Sequence, residues 1–340
     1  MVDDSQACST HELIHKQFPL TDTEKQAAED SGKFNGVLMK FPQPVLEFII
    51  RRSLKKMRDT SFTIKLPTVN ITNRIIKEEY KSDVGSGSYS VYFYRRAELP
   101  EGKHPLFYFI HGGGFLGGTH LANENLMRKL TDENDVVCAS ADYHVAPEAR
   151  FPVALRECER GLLNLVESAG ASYIDKSRVY IAGDSAGGNL AAAAVLSLKK
   201  QRGFVPAGQI LLYPVTEMYK LDTKSYKQKG LEFFSMRRLI LISRKLYANN
   251  AKDYNTIYFS PLLATGEDDP CPTRALILLA GRDGLLDDGV LYGEHLHKLG
   301  GAVKTIVYDN AFHAFANGLG DSPTAEDAYK EIAEFILDDL

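Results

Sequence analysis

Val179-Tyr180-Ile181-Ala182 followed by Gly183-Asp184-Ser185-Ala186-Gly187 decides the fold of this 340-residue chain. The apolar run reads as a buried strand, the pentapeptide as a tight Gly-x-Ser-x-Gly turn, and the alanine-rich stretch opening at Asn189-Leu190 as a helix. Such a turn is strained and must lack flanking bulk, because only then does a serine hydroxyl stand clear of the backbone at the top of a parallel sheet. Ser185 is therefore the candidate nucleophile. Gly and Ser are common in loops, so the pentapeptide draws its weight from its surroundings.

Upstream, Pro105-Leu106-Phe107-Tyr108-Phe109-Ile110 reads as a second buried strand that runs into His111-Gly112-Gly113-Gly114-Phe115. A glycine loop after a strand also suits phosphate, but the Lys-Ser/Thr ending of a P-loop and the dinucleotide glycine spacing are both missing. The remaining use is a set of unhindered backbone N–H groups aimed at an oxygen that gains charge. Downstream, the apolar strand Ala275-Leu276-Ile277-Leu278-Leu279-Ala280 ends in Gly281-Arg282-Asp283. The next, Val303-Lys304-Thr305-Ile306-Val307-Tyr308, leads through Asp309-Asn310-Ala311-Phe312 to His313. Serine, acid and histidine in that order, each past the carboxyl end of a strand, is the arrangement of a triad on an open α/β sheet.

Other residues compete for these roles and have plainer explanations. His11 and His15 precede the core, His104 precedes a strand, and His295 and His297 lie on a helical stretch where i and i+2 face apart. His120 and His144 fall nearer the active face but lack the strand-end position after the acid. Asp287 and Asp288 immediately precede the helical pattern from Val290, where carboxylates suit a helix N-terminus. Asp184 is expected to be a surface or loop-fixing residue, His111 to brace the glycine loop, and Glu148 and Arg150 to form a loop ion pair.

Strand-like and helix-like segments alternate from Ile75 onward, the pattern of a mostly parallel α/β sheet flanked by helices. Strands are expected near 75–80, 89–94, 105–110, 136–142, 178–184, 208–213, 275–281 and 303–308. The first two form an antiparallel pair across the turn residues Ser82 to Gly87. Before them, Pro44 to Met57 reads as a helix with apolar and basic faces, its apolar face laid over the protein rather than on a membrane surface. Within 217–258, Leu239, Ile240, Ile242, Leu246 and Tyr247 recur at helical spacing.

A formal net charge of −4, with no basic stripe interleaved with aromatics, leaves no expectation of nucleic-acid binding. The start Met1-Val2-Asp3-Asp4-Ser5-Gln6 lacks the basic-then-apolar pattern of a secretory signal, and no apolar run reaches membrane-spanning length. Cys8, Cys138, Cys158 and Cys271 are scattered as reduced thiols would be. A cytoplasmic protein without stable membrane insertion is the expectation. No His-Glu-x-x-His or paired-cysteine motif occurs, so neither metal nor cofactor is expected.

The chain resembles the hormone-sensitive lipase family of α/β-hydrolases, and within it the bacterial acetyl esterases. The matching words are His111-Gly112-Gly113-Gly114-Phe115, Asp142-Tyr143 with Ala146-Pro147-Glu148-Ala149-Arg150-Phe151-Pro152, Gly183-Asp184-Ser185-Ala186-Gly187-Gly188, and Asp283 with His313. They span the chain from about residue 75 to its end. It departs from the family's wording at His144-Val145, where Arg-Leu is usual, and at Gly284, where proline often stands. The resemblance implies an α/β-hydrolase fold with residues 1–70 as an N-terminal helical cap segment and 71–340 as the catalytic core, carrying 217–258 as a cap insertion. It places the oxyanion donors at the backbone N–H groups of Gly113, Gly114 and Ala186. It further implies a short-acyl carboxylesterase, acetyl-esterase-like, working through an acyl-enzyme on Ser185 with His313 as base and Asp283 as its orienting acid. An amidase or deformylase with the same triad, or a non-catalytic small-molecule binding protein on the same scaffold, are the alternatives. A small ester is the expected partner, and a homodimer stays open.

Overall fold

Short apolar runs bounded by glycine, proline and aspartate suit burial on both faces of a sheet. The computed structural model describes residues 10–38, 40–61, 68–83, 87–228 and 231–338. Cys8, the Met1–Gln6 start, the middle of the 82–87 turn and parts of the two expected cap segments lie outside the described residues. Among those described, β1 (His11–Lys16), β2 (Ile75–Asp83), β3 (Ser88–Arg96), β4 (His104–Ile110), β5 (Val137–Asp142), β6 (Ile174–Asp184), β7 (Gly208–Leu212), β8 (Ala275–Arg282) and β9 (Val303–Phe312) form one sheet. Its order is β1-β9-β8-β7-β6-β4-β5-β3-β2. β3 runs antiparallel to both β2 and β5, and every other pair is parallel. The expected mostly parallel architecture is present.

The pleat sorts side chains into two cores. Leu106, Tyr108 and Ile110 of β4 join the core beneath α4 (Val153–Asn164), α5 (Ala186–Arg202) and α7 (Leu286–Lys298). Phe107 and Phe109 point into the other, beneath α3 (Glu124–Glu133) and α8 (Pro323–Leu337). Every residue of α5 from Ala186 to Leu198 is buried. A helix wrapped on all sides has no use for a polar stripe, and its small alanines let it lie close to the sheet.

α1 (Asp22–Leu38) packs on α6 (Leu231–Tyr247). The helix expected at 44–57 is α2 (Gln43–Ser61), and it buries Leu46 and Leu54 while leaving Phe48 62% exposed. α2 is tied to α6 by polar contacts. The Arg238 Nε donates to Gln43 Oε1 at 2.9 Å, the Gln43 amide donates to the Arg238 carbonyl at 3.2 Å, and Lys245 pairs with Glu47 at 2.8 Å. Sequence reading placed no strand before Ile75, yet β1 is one. It extends the sheet beyond β9, with Lys16 held by Asp327 and Glu331 at 2.7 Å each.

Topology then positions the site. From β4 the chain moves outward to β5 and returns through α4 to β6 on the opposite side of β4. The carboxyl ends of β4 and β6 therefore flank a point where the direction of winding reverses, the place where open α/β sheets put their ligands.

Candidate active site

The turn between β6 and α5 is built from residues that cannot be larger. A Cβ on Gly183 would run into the Gly187 carbonyl, and one on Gly187 into the Ile110 carbonyl and the His111 backbone. Strand, helix and the end of β4 thus approach more closely than side chains would permit. Ser185 sits at φ 54° and ψ −117°, a conformation that costs a non-glycine residue roughly 1–3 kcal/mol and persists only where its surroundings hold it. Its N–H is anchored on the Leu212 carbonyl at 2.9 Å.

The three residues proposed from sequence converge. His313 Nε2 lies 3.0 Å from Ser185 Oγ, and His313 Nδ1 lies 2.5 Å from Asp283 Oδ2. Asp283 is buried, and its Oδ1 accepts the Leu285 N–H at 3.0 Å, which fixes the carboxylate plane. An ionised Asp283 can only accept, so Nδ1 carries the proton and Nε2 faces the hydroxyl as an acceptor. That arrangement can draw the proton from Ser185 as its oxygen attacks an electrophile. Tyr213, at the end of β7, meets the His313 ring edge to face at 5.0 Å.

The glycine loop lies alongside. Gly113 has φ 115°, and a Cβ there would strike the Gly117 carbonyl, whose own N–H returns to the Gly113 carbonyl at 3.2 Å. Ala186 opens α5, where N–H groups lack intrahelical acceptors and the helix end favours negative charge. The loop is braced from below. Asp184 Oδ1 accepts the Gly112 N–H at 2.7 Å and the Asn123 amide at 3.1 Å. The Tyr143 hydroxyl donates to the His111 carbonyl at 2.7 Å while the two rings stack at 4.3 Å. His111 Nδ1 donates to the Gly112 carbonyl at 2.8 Å, as expected of a brace.

Burial alone would depress the pKa of His313, but the charge and hydrogen bond of Asp283, with the charge of Asp184 added, outweigh it and hold the imidazole above its ordinary value. Burial pushes the Asp184 carboxyl up to about 6, against the Gly112 hydrogen bond and the pull of His313.

The rival residues are engaged elsewhere. His120 bonds Asp142 at 2.8 Å, receives Lys77 Nζ on its other nitrogen at 2.8 Å and stacks on Tyr92. His144 bonds the buried Glu157 at 2.8 Å, His295 the Ala264 carbonyl at 2.6 Å, and His15 Asp309 at 2.7 Å. Of the two roles expected of Asp184, surface or loop-fixing, the second holds: it is 6% exposed and accepts the Gly112 N–H of the loop. Asp287 and Asp288 lie in the first turn of α7 as expected, and they also reach further: Asp287 accepts the Ser225 N–H at 2.7 Å and Asp288 the Thr216 N–H at 3.1 Å, so they fasten the stretch after β7 to α7. Arg150 donates to the Ala248 carbonyl at 3.0 Å at the end of α6. Sequence reading missed Asn123 and Tyr213 as neighbours of the site. No local pattern marks Asn123, whereas Tyr213-Pro214 at a strand end was a usable signal for Tyr213.

Among the described residues no group of three or more His, Cys, Asp or Glu is placed to hold a metal, and no helix is long and apolar enough to cross a membrane.

The alpha/beta hydrolase fold family matches the chain across residues 107–317. An ethyl acetate hydrolase of Pseudomonas putida is 33% identical over 208 residues, 61% of this chain and 64% of that protein. The carboxylic ester hydrolase LipN of Mycobacterium tuberculosis is 34% identical over 222 residues, 64% of this chain and 58% of that one. The chain thus spans just under two thirds of the former and less of the latter. A solved thermostable esterase from Pseudomonas putida superposes with a TM-score of 0.76 at 25% identity, covering 94% of this chain and 98% of its own. With Ser185, His313 and Asp283 hydrogen-bonded beside the carboxyl ends of a mostly parallel sheet, this chain belongs to the alpha/beta hydrolase fold family, on its hormone-sensitive-lipase-like side.

Proposed function

We propose that the protein is a serine carboxylesterase that cleaves esters of short acyl groups. The observation that carries this reading is the unbroken hydrogen-bond chain Ser185–His313–Asp283 beside the glycine loop. Ser185 Oγ attacks the ester carbonyl as His313 Nε2 takes its proton. The oxygen that becomes negative is received by the N–H groups of Gly113, Gly114 and Ala186. His313 then returns the proton to the departing alcohol, leaving an acyl-enzyme on Ser185. Water, activated by the same imidazole, releases the acid.

The short-acyl part rests on what faces the loop. Ile240, Ser243 and Tyr247 fall on one side of α6 and are buried. Ser243 Oγ is 3.1 Å from where a Gly114 Cβ would stand, and Tyr247 stacks on Phe115 at 4.3 Å, so α6 packs closely on the loop, which favours a short acyl group in this reading. In this reading the cap is α1, α2 and the described part of 217–258, supported by the ties between α2 and α6, whereas β1, inside the 1–70 segment expected to be helical cap, belongs to the core sheet through its pairing with β9. Unpaired Cys138, Cys158 and Cys271 agree with a reducing, cytoplasmic setting.

A series of nitrophenyl esters from acetate to palmitate, with matched anilides and Ser185→Ala in parallel, tests it. The reading expects turnover highest for the shortest esters, weak on anilides and lost in Ser185→Ala. A preference for palmitate removes the short-acyl part, and full activity of Ser185→Ala removes the whole.

A further inference from the structure

A buried carboxylate outside the triad is costly, and the fold places one in the residue next to Ser185. Taking such a group out of water is strongly unfavourable unless hydrogen bonds and charges compensate. An apolar side chain at position 184 would avoid that cost.

We propose that Asp184 is a positioning residue of the esterase reaction: its carboxylate clamps the loop presenting Gly113 and Gly114 to the turn presenting Ser185, and adds its charge to that of Asp283 at His313. The inference rests on the esterase reading above.

Three segments meet on this carboxylate. It belongs to the end of β6, receives the Gly112 N–H from the loop after β4, and receives the buried Asn123 amide from the short helical turn before α3. Gly112 immediately precedes the two loop amides assigned to the oxyanion, so this bond fixes their distance from Ser185. The fit is tight. A Cβ on Gly112 would come within 2.6 Å of Asp184 Oδ2, so the loop approaches the carboxylate only because residue 112 has no side chain.

The titratable groups around Asp184 come from several elements. Tyr143 follows β5, Tyr213 follows β7, His111 lies in the loop itself, and His313 follows β9. Burial drives both tyrosine hydroxyls far above their ordinary range and His111 below its own, so these three stay neutral near neutral pH. Asp184 and His313 are left as the pair that exchanges charge, each acting on the other. At a pH where His313 is neutral and competent, Asp184 is ionised and accepts the Gly112 N–H as a charge-assisted bond.

Two variants separate clamp from charge. Asp184→Asn keeps an oxygen for Gly112 but removes the charge, so the acid limb of kcat/KM moves to lower pH by about half a unit or more. Asp184→Ala removes both, and kcat falls on the order of 10²-fold, as on loss of an oxyanion donor, with KM little altered. Thermal melting accompanies each, and should Asp184→Ala fail to fold, the pH profile of the near-isosteric Asp184→Asn decides. An unshifted acid limb in Asp184→Asn overturns the charge role. A folded Asp184→Ala within tenfold of the parent kcat overturns the clamp. Ser185→Ala run alongside tells the two failures apart. If it is dead while the Asp184 variants behave like the parent, only this inference falls; if it is active, the esterase reading falls first.

Discussion

Replacing Asp283 with asparagine probes the triad without changing its shape. Asp283 is buried, lies 2.5 Å from His313 Nδ1, and is held in plane by the Leu285 N–H. The imidazolium that forms as Ser185 attacks has its charge centre about 4 Å from that of the carboxylate, a separation worth about 4 kcal/mol at an effective dielectric constant near 20. Losing it slows the chemical step by about three decades. The amide brings a second penalty. Its NH2 can only donate, so where it faces Nδ1 it favours the tautomer with the proton on Nε2, which then points at Ser185 as a donor and cannot accept. Together the two effects amount to about 10⁴ in kcat, the size found when a triad aspartate is neutralised. The assay is nitrophenyl acetate hydrolysis, with thermal melting to show that the fold survives. Residual activity should also persist to lower pH, because burial, now less opposed, pulls the His313 pKa down. A folded variant within tenfold of the parent kcat would refute the assigned role of Asp283.

Other outcomes follow from the same geometry. Activity of the parent should fall as pH drops through a value above the ordinary histidine value of about 6.5, because His313 must be neutral to act and its pKa is raised. A kcat/KM profile with its acid limb well below that value contradicts this. Gly187→Ala should destabilise by at least about 1–3 kcal/mol and cut turnover, since its Cβ meets backbone from β4. Gly36→Ala in α1 meets nothing within 4 Å and should stabilise by about 0.5–1 kcal/mol; paired denaturant melts compare them. Asp288 is fully buried with its carboxyl raised well above the usual range, chiefly by desolvation. A group whose pKa is raised by folding stabilises below its unfolded value and loses that contribution as pH climbs. Asp288→Asn should therefore gain stability relative to the parent as pH rises above about 4, and parallel melts across pH that diverge the other way would refute it.

The half of the molecule that carries the candidate site was readable because its signals are local. An apolar strand followed by a turn of special backbone geometry is written in consecutive residues, which is why Ser185, Asp283 and His313 could be named together with the strands that carry them. The expected helices at 44–57 and around 239–247 are α2 and α6 for the same reason. What escaped depends on distant partners. β1 reads His-Glu-Leu-Ile-His-Lys, with too little alternation to declare a strand, and it exists through pairing with β9 and the hold of Asp327 and Glu331 on Lys16. Asp287 and Asp288 looked like helix-end residues because their other partners, Ser225 and Thr216, lie more than sixty positions away. Asp184 was left between surface and loop because only the fold reveals Gly112 and Asn123 on its carboxylate.

The central claim is that Ser185 is an activated nucleophile, and covalent trapping tests it most directly. After exposure to an alkyl fluorophosphonate, intact and peptide mass analysis should find one adduct, on Ser185, absent in Ser185→Ala and forming at least about 10²-fold more slowly in His313→Ala. An adduct on another residue, or labelling of Ser185 at an unchanged rate without the imidazole, would contradict the account.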